Sequence, residues 1–266
     1  MGGGSGAAGR GALPGDASPL AGQRRPDATI VVPTYNERAT VPGLLRGLAD
    51  AVGAGPGTCE VLVIDDSSPD GTGQVATGVA AELLDVLPIL VISRPGKSGL
   101  ASAVLEGVRR ARGHVIVVMD SDLSHPPQAV RALLGAVAGG ADVAVGSRYI
   151  RGGGVRRWPW RRRVMSRGAT WMARGLLGVR VADPMSGFFA ARRRLFEDAP
   201  ILGLGYKILL ELLVRHPAAA VVEVPYVFTE RAGGRSKLNA AEVVNYIRLL
   251  IRLRSRPAGA RRQAAP

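Results

Sequence analysis

Asp120 and Asp122 stand one residue apart, immediately after the apolar run Val115–Met119. A slight bend at the end of a strand lets both carboxylates face one point, which suits a hard divalent cation such as Mg2+ or Mn2+. Such an ion, bridging the oxygens of a nucleotide diphosphate, would neutralise the charge that grows as the bond to the diphosphate breaks. An isolated Asp-x-Asp is more often a solvated turn; the position after a strand favours the metal reading here.

Two more polar groups follow apolar runs in the same way. Pro33-Thr34-Tyr35-Asn36-Glu37 succeeds Ala28–Val32, and Asp65-Asp66-Ser67-Ser68-Pro69-Asp70-Gly71 succeeds Glu60–Ile64. Open parallel sheets bind ligands beyond the carboxyl ends of their strands, so the three groups are expected to converge on one edge. Asp65 and Asp66 read in two ways, as caps of a helix beginning near Thr72 or as acceptors for a base or ribose, while Ser67, Ser68 and Asp70 are good turn formers. Pro95–Gly99 lacks the glycine spacing of a phosphate loop and reads as a flexible turn whose Lys97 touches nucleotide or acid.

The elements that must position these groups alternate along the first half of the chain. Strands are expected at Ala28–Val32, Glu60–Ile64, Ile89–Ile92, Val115–Met119 and Asp142–Val145, with helices between them. Glu37–Ala51 and Ser98–Arg112 carry apolar residues at helical spacing. This is the pattern of βαβ units, so the fold class expected is α/β, with a mainly parallel central sheet flanked by helices. After Arg148 come a Gly/Arg-rich connection, a helix near Val164–Leu177, a short apolar element at Phe188–Ala190, a helix near Tyr206–Arg215 and a strand Ala220–Phe228. A last helix from Ala241 places Val243, Val244, Ile247, Leu250 and Ile251 on one side, with arginines elsewhere; interfacial anchoring and ordinary core packing both fit it.

With 266 residues, 47% of them hydrophobic, the chain can bury one sizeable core. Residues 1–27 are rich in Gly, Ala and Pro and read as a disordered leader with neither a secretory nor a myristoylation pattern. Residues 28–240 are expected to form the catalytic domain and 241–266 a basic amphipathic helix and tail. The net charge is +14, with arginine concentrated between Arg148 and Arg167 and again from Arg248 to Arg262. Such patches suit phosphate-rich partners: nucleotides, anionic lipid or nucleic acid. No run of 18 apolar residues exists, so a lipid substrate would be met from the surface or through a partner. The single Cys59 excludes an internal disulfide and fits a reducing compartment. His114, His125 and His216 lack metal-ligand spacing, and Ser186 lacks the context of a nucleophile.

Taken together, these residues resemble the inverting GT-A glycosyltransferases and, among them, the dolichol-phosphate mannosyltransferases (polyprenol monophosphomannose synthases). The likeness runs from about Thr29 to Asn239. Its first block, Val31–Glu37, belongs to many related transferases. The more specific blocks are Val63–Thr72, Met119–Pro127, Gly146–Tyr149, Ser166–Ala169, Asp183–Phe189, Gly205–Lys207 and Arg231–Leu238. The resemblance implies a single Rossmann-like GT-A domain in which Pro33, Tyr35, Glu37, Asp66 and Asp120 contact the nucleotide sugar, with Asp65, Asp70, Lys97 and Ser121 beside them. It implies that Asp122 ligates the metal with Asp120 and Ser124, and that Arg148, Arg167, Arg231 and Lys237 hold the donor and acceptor phosphates, with Ser186 shaping the acceptor loop. Some relatives carry Gln in place of Ser124, and Asp-Ala-Asp is commoner than Asp120-Ser121-Asp122. Many prokaryotic members append membrane helices; this chain resembles the short form that depends on surface association, a separate membrane-anchoring subunit or an acyltransferase partner.

An acceptor phosphate is already ionised at neutral pH, so its attack on an anomeric carbon needs no general base. The expected reaction is therefore transfer of mannose from GDP-mannose to a polyprenyl (dolichyl) phosphate, on the cytoplasmic face of a membrane. Two rivals stand beside it: a UDP-glucose donor with the same lipid class, and a basic nucleic-acid-binding protein. Against the last, aromatic residues are only 5% and no recognition module is present.

Overall fold

The computed structural model describes residues 24–53, 57–156, 158–198, 201, 207–229 and 240–255. Most of the expected leader, the arginines beyond residue 255, Arg231 and Lys237 lie outside the described residues.

Seven strands form one sheet. In chain order the elements are β1 (Ala28–Thr34), α1 (Val41–Val52), β2 (Cys59–Asp65), α2 (Thr72–Glu82), β3 (Ile89–Ser93), α3 (Leu100–Arg110), β4 (Val115–Val118), α4 (Ala129–Ala138) and β5 (Val143–Ser147). There follow β6 (Gly154–Arg156), α5 (Trp160–Leu177), β7 (Phe189–Arg192), α6 (Arg194–Glu197), α7 (Ile208–Arg215), β8 (Val221–Pro225), β9 (Val227–Thr229) and α8 (Ala240–Arg254). The spatial order is β3-β2-β1-β4-β7-β5-β8, and β6 and β9 make a separate parallel pair. Every pairing in the large sheet is parallel except those of β7, so the mainly parallel α/β expectation holds.

Both faces of the sheet are covered, which is why its strands are continuous apolar runs rather than alternating ones. Ile30 and Val32 of β1, Val61 and Val63 of β2, and Val117 of β4 face one core with α1, α2 and α4. Val31, Leu62, Ile64, Ile116 and Val118 face the other, with α3 and α7. A third cluster joins Ala173 of α5 and Leu210 of α7 to Leu249, Leu250 and Leu253 of α8.

Gly107 lets α3 press onto β1. A Cβ there would lie 2.3 Å from Cγ1 of Val31 and 3.3 Å from Cγ1 of Ile64, both on rigid core strands. Alanine is the better helix former by about 1 kcal/mol, but forcing a methyl into a packed core costs roughly 1–3 kcal/mol, so the clash wins. Gly107→Ala is expected to lower the midpoint of denaturant unfolding; an unchanged or raised midpoint would contradict this packing.

Two expectations change. The strand read as Ala220–Phe228 is two strands in different sheets. Pro225 ends the pairing of β8 with β5, and the intervening Tyr226 donates its N–H to Ser147 and accepts at its carbonyl from Gly154 N–H, turning the chain from one sheet to the other. On α8 the buried side is Leu249, Leu250 and Leu253, with Tyr246 half-buried beside them, while Val244, Ile247 and Ile251 stay exposed. The helix thus packs on the core along one face and leaves a second apolar stripe in solvent.

Candidate active site

The strand order reverses at β1: the chain proceeds outward through β2 and β3, then crosses back to place β4 on the other side of β1. A crevice opens beyond the carboxyl ends of the strands at such a reversal. The loops after β1, β2 and β4 share that edge, where the sequence placed its three polar groups.

Backbone strain marks the same edge. Among the described residues, Asn36, Ser67 and Leu123 are the non-glycine residues with positive φ, at 59°, 52° and 61°, and one sits in each of the three loops. Each costs roughly 1 kcal/mol or more, tolerated where the surrounding structure over-determines the turn. Internal hydrogen bonds supply that constraint. Asn36 N–H donates to Ser68 Oγ (3.0 Å), and Ser68 Oγ–H donates to Asp65 (2.5 Å), which also accepts from Ser68 N–H (3.0 Å) and from Thr34 Oγ1 (2.9 Å).

Asp65 is therefore buried and turned inward, tying the β1 and β2 loops together. Asp66 is also buried; it pairs with Arg94 at 2.9 Å and accepts from the N–H groups of Ser98 and Gly99 at 3.2 and 3.3 Å, which anchors the β3 loop. Asp70 accepts from Thr72 N–H and Oγ1 and from Arg38 N–H, holding the start of α2 against the β1 loop. Slight burial opposes ionisation of Asp70, but the Thr72 hydroxyl and these N–H groups outweigh it and hold the carboxyl below its usual range. The N-cap of α2 is Gly71 with no side-chain cap hydrogen bond, so Asp65 and Asp70 tie loops together rather than cap the helix.

The groups nearer solvent are different. Lys97 places its ammonium 3.9 Å above the Tyr35 ring, bringing the β1 and β3 loops together. Glu37 accepts from Thr40 Oγ1 at 2.8 Å ahead of α1, and with Asn36, Arg38 and Asp70 it lines a shallow depression of about 420 Å3. Pro33 is buried within β1, in register with Ile64.

Beyond β4, Asp120 keeps a side chain 38% exposed, Ser121 is buried, and Asp122 accepts from Ser124 N–H at 3.0 Å. The Ser124 hydroxyl is buried without a hydrogen-bond partner. An unsatisfied buried hydroxyl is costly unless another group satisfies it. Two carboxylates and an unengaged hydroxyl within five residues form an all-oxygen donor set, which fits Mg2+ or Mn2+. Among the described residues no cluster of three or more His, Cys, Asp or Glu could hold an ion alone, so further ligands would have to come from a diphosphate and water.

His125, given no role on sequence grounds, lies beneath this turn. Its Nδ1 accepts from Asp120 N–H at 3.0 Å, its Nε2 lies 3.8 Å from the Asp120 carboxylate, and its ring stacks on Phe188 with centroids 5.0 Å apart. Burial, aided by Arg148 and opposed by Asp122, brings its pKa down to about 3. A neutral ring that accepts at Nδ1 carries its proton on Nε2, on the side of Asp120. Gly187 passes close by; a Cβ there would be 3.5 Å from Oδ2 of Asp120 and 3.6 Å from Cε1 of His125.

Arg148 is held by a carboxylate of the chain itself. Its Nε and Nη2 donate to the two oxygens of Asp183 at 2.7 and 2.8 Å, its backbone N–H donates to the same carboxylate, and the rings of Tyr149, Trp158 and Phe228 surround the guanidinium at 5.4–5.8 Å. Asp183 is fully buried, and Glu223 accepts from the N–H groups of Ala182 and Asp183. Burial works against the charge on Arg148, but the Asp183 carboxylate more than restores it and raises the pKa. Ser186 is buried and hydrogen-bonded to both backbone groups of Phe188. Arg167 is exposed on α5, one residue after Ser166, whose hydroxyl meets Tyr149 Oη at 2.7 Å.

Residues 29–199 match the family model of glycosyl transferase family 2. The chain is 41% identical over 223 residues to the polyprenol monophosphomannose synthase of Mycolicibacterium smegmatis, covering 80% of this chain and 82% of that one. The chain belongs to glycosyl transferase family 2 and, within it, to the dolichol-phosphate mannosyltransferases. This mannosyltransferase-family chain is also 36% identical over 234 residues to the dolichol-phosphate mannosyltransferase of Saccharomyces cerevisiae, covering 84% of this chain and 85% of that one. It is 41% identical over 227 residues to that of Pyrococcus furiosus, covering 85% of this chain but only 63% of the relative's length. Among solved structures, glucosyl-3-phosphoglycerate synthase of Mycobacterium tuberculosis bound to UDP has the same fold, with a TM-score of 0.65 at 22% identity over 90% of this chain and 82% of that one. The same enzyme has been solved with Mg2+ and UDP (TM-score 0.65) and with Mn2+, UDP and glucosyl-3-phosphoglycerate (TM-score 0.62). The chain is a glycosyltransferase.

Proposed function

We propose that this glycosyltransferase moves mannose, with inversion, from GDP-mannose to a polyprenyl (dolichyl) phosphate, releasing GDP and polyprenyl phosphomannose. The observation that carries the proposal is the placement of Asp120 and Asp122 at the switch-point edge, in a chain 41% identical to a polyprenol monophosphomannose synthase. The names of the relatives supply the sugar and the acceptor class, and the metal-bound structures of the same fold supply the precedent for a divalent ion.

In this reading Tyr35 and Lys97 flank the nucleotide, with Glu37 and the β1 loop beside them. Asp120, Asp122 and Ser124 hold Mg2+ or Mn2+, which when bound offsets charge on the departing diphosphate. His125 fixes the Asp120 backbone and directs an N–H toward its carboxylate. The guanidinium of Arg148 is committed to Asp183, so Arg167, Arg231 and Lys237 are the cations assigned to the acceptor phosphate. That phosphate attacks the anomeric carbon unaided by a base, so positioning and charge compensation supply the rate. Among the described residues no helix is long and apolar enough to cross a membrane. We therefore place the chain peripherally on the cytoplasmic face, where a water-soluble donor meets a lipid-borne acceptor.

Purified protein offered radiolabelled GDP-mannose or UDP-glucose, with a short-chain polyprenyl phosphate and Mg2+, tests the reading. Label is expected to pass from GDP-mannose to the lipid and to stop when the metal is chelated. Transfer from UDP-glucose alone would replace the donor; no transfer from either, alongside tight salt-dependent binding of duplex DNA, would replace the function.

A further inference from the structure

Five arginines and His114 line a cavity of about 320 Å3 that contains a single carboxylate, Glu197. The arginines come from three stretches of chain. Arg25 precedes β1 and Arg112 precedes β4, at the amino ends of these parallel strands. Arg192 ends β7, which runs antiparallel to β4 and sets Arg192 beside Val115, and Arg193 and Arg194 follow it. The cavity therefore lies at the edge of the sheet opposite Asp120 and Asp122, with the length of β4 between the two sites.

Its floor is fixed by buried hydrogen bonds. Gly113 N–H donates to Thr29 Oγ1 at 2.9 Å, the Thr29 hydroxyl donates to Glu60 at 2.7 Å, and Glu60 accepts from the N–H and Nε of Arg112 at 2.9 and 2.8 Å. Thr29 and Glu60 are buried, and a Cβ at Gly113 would lie 2.5 Å from the Thr29 nitrogen, so the turn carrying Arg112 is closed against β1. Arg193 N–H donates to the His114 carbonyl at 2.8 Å, which ties the start of α6 to the same turn.

Ion pairing accounts for part of this cluster and leaves the rest in surplus. Arg193 is engaged by Glu197 and by the Ala111 carbonyl, and Arg112 is oriented by Glu60. Arg192 and Arg194, by contrast, share one oxygen of Asp142 at 3.4 and 2.6 Å, and 62% of the Arg194 side chain is exposed. Arg25 is exposed and meets no carboxylate among the described residues. Five guanidiniums against Glu60, Asp142 and Glu197 leave a surplus of two positive charges around one concavity. Like charges gathered this closely repel one another, and an anion placed between them relieves the repulsion. The planar fork of arginine matches phosphate oxygens two at a time. The lining contains no Phe, Tyr or Trp and no aliphatic side chain, so nothing there receives a base or an acyl chain. Ligand pockets begin at roughly 300 Å3, so the volume suits more than a lone phosphate and less than a macromolecule.

We propose that this cavity binds a small water-soluble polyanion carrying two or more linked phosphate groups. The site is separate from the one assigned to the nucleotide sugar, and its occupancy does not depend on which sugar or acceptor the enzyme uses.

The full chain is titrated calorimetrically with orthophosphate, pyrophosphate and tripolyphosphate, with a chelator present and neither metal nor nucleotide sugar, so that an ion at Asp120 and Asp122 cannot recruit the anion. Saturable binding is expected, about tenfold tighter or more for tripolyphosphate than for orthophosphate, and weakening as salt is raised. The double variant Arg25→Ser, Arg194→Ser changes two exposed side chains, so its melting temperature without anion is expected to match wild type while its tripolyphosphate affinity falls about tenfold or more. Arg25→Ser alone, which breaks no ion pair, is expected to weaken binding in the same direction. Lys97→Ala, at the opposite edge of the sheet, is expected to bind the anion as wild type does. Four results would overturn the proposal: no saturable binding of any of the three anions, equal affinity for orthophosphate and tripolyphosphate, a double variant that binds as wild type does, or binding lost with Lys97→Ala and kept in the double variant.

Discussion

Asp122→Asn is expected to reduce sugar transfer on the order of 10^3-fold, equivalent to about 4 kcal/mol of transition-state stabilisation, while leaving the fold intact. The two halves of that expectation have separate grounds. An amide retains an oxygen that can accept from Ser124 N–H, the contact that Asp122 makes in the β4 turn, so the loop keeps its shape. What is lost is a formal negative charge in a donor set that has only Asp120 and the unengaged Ser124 hydroxyl besides. Transfer measured across a range of Mg2+ concentrations, with a thermal melt of the same preparation, checks both. Turnover within a few-fold of wild type at ordinary Mg2+ would remove Asp122 from the metal site.

The sheet was legible because its strands are buried on both faces. A run such as Ile30-Val31-Val32 has only one stable home, and the readings of β1 to β4 fall within two residues of their observed ends. The errors have a common origin. β1 and β2 run on to Thr34 and Asp65 because those side chains hydrogen-bond to each other across the strands, which hydrophobicity does not register. The break at Tyr226 depends on pairing with residues far away in sequence, near Ser147 and Gly154. On α8 the apolar residues nearly encircle the helix, so periodicity alone could not say which of them face α5 and α7.

The candidate site divides in the same way. The polar groups after β1, β2 and β4 were visible as residues and as positions, and the topology brings them to one edge. Which carboxylates face inward was not visible. Asp65 and Asp66 are neighbours of the same type, but one ties down Ser68 and Thr34 while the other holds Arg94 and the β3 loop. His125 escaped notice because a lone histidine without ligand spacing carries no signal; only stacking on Phe188 and the hydrogen bond from Asp120 reveal its place. The pairing of Arg148 with Asp183 was not visible either, since Asp183 lies thirty-five residues along the chain.

That partner leads to the largest expected effect on stability. Asp183 is completely buried and accepts three hydrogen bonds from Arg148, two from the guanidinium and one from the backbone. Asp183→Asn removes the compensating charge and leaves a buried guanidinium among Tyr149, Trp158 and Phe228, a situation that typically costs about 3–5 kcal/mol. For a domain of this size that corresponds to a fall in melting temperature of roughly 10 °C. Removing both partners should be far milder: Arg148→Met with Asp183→Leu replaces the pair by apolar side chains in an aromatic-lined site, and such exchanges are often neutral. The double variant also separates architecture from phosphate binding. If Arg148 only braces the wall between the β5 loop and the Asp183 turn, the stable double variant keeps a near-normal KM for acceptor. A double variant that melts like wild type but has lost acceptor affinity would return Arg148 to the phosphate site, with Asp183 holding it until substrate arrives.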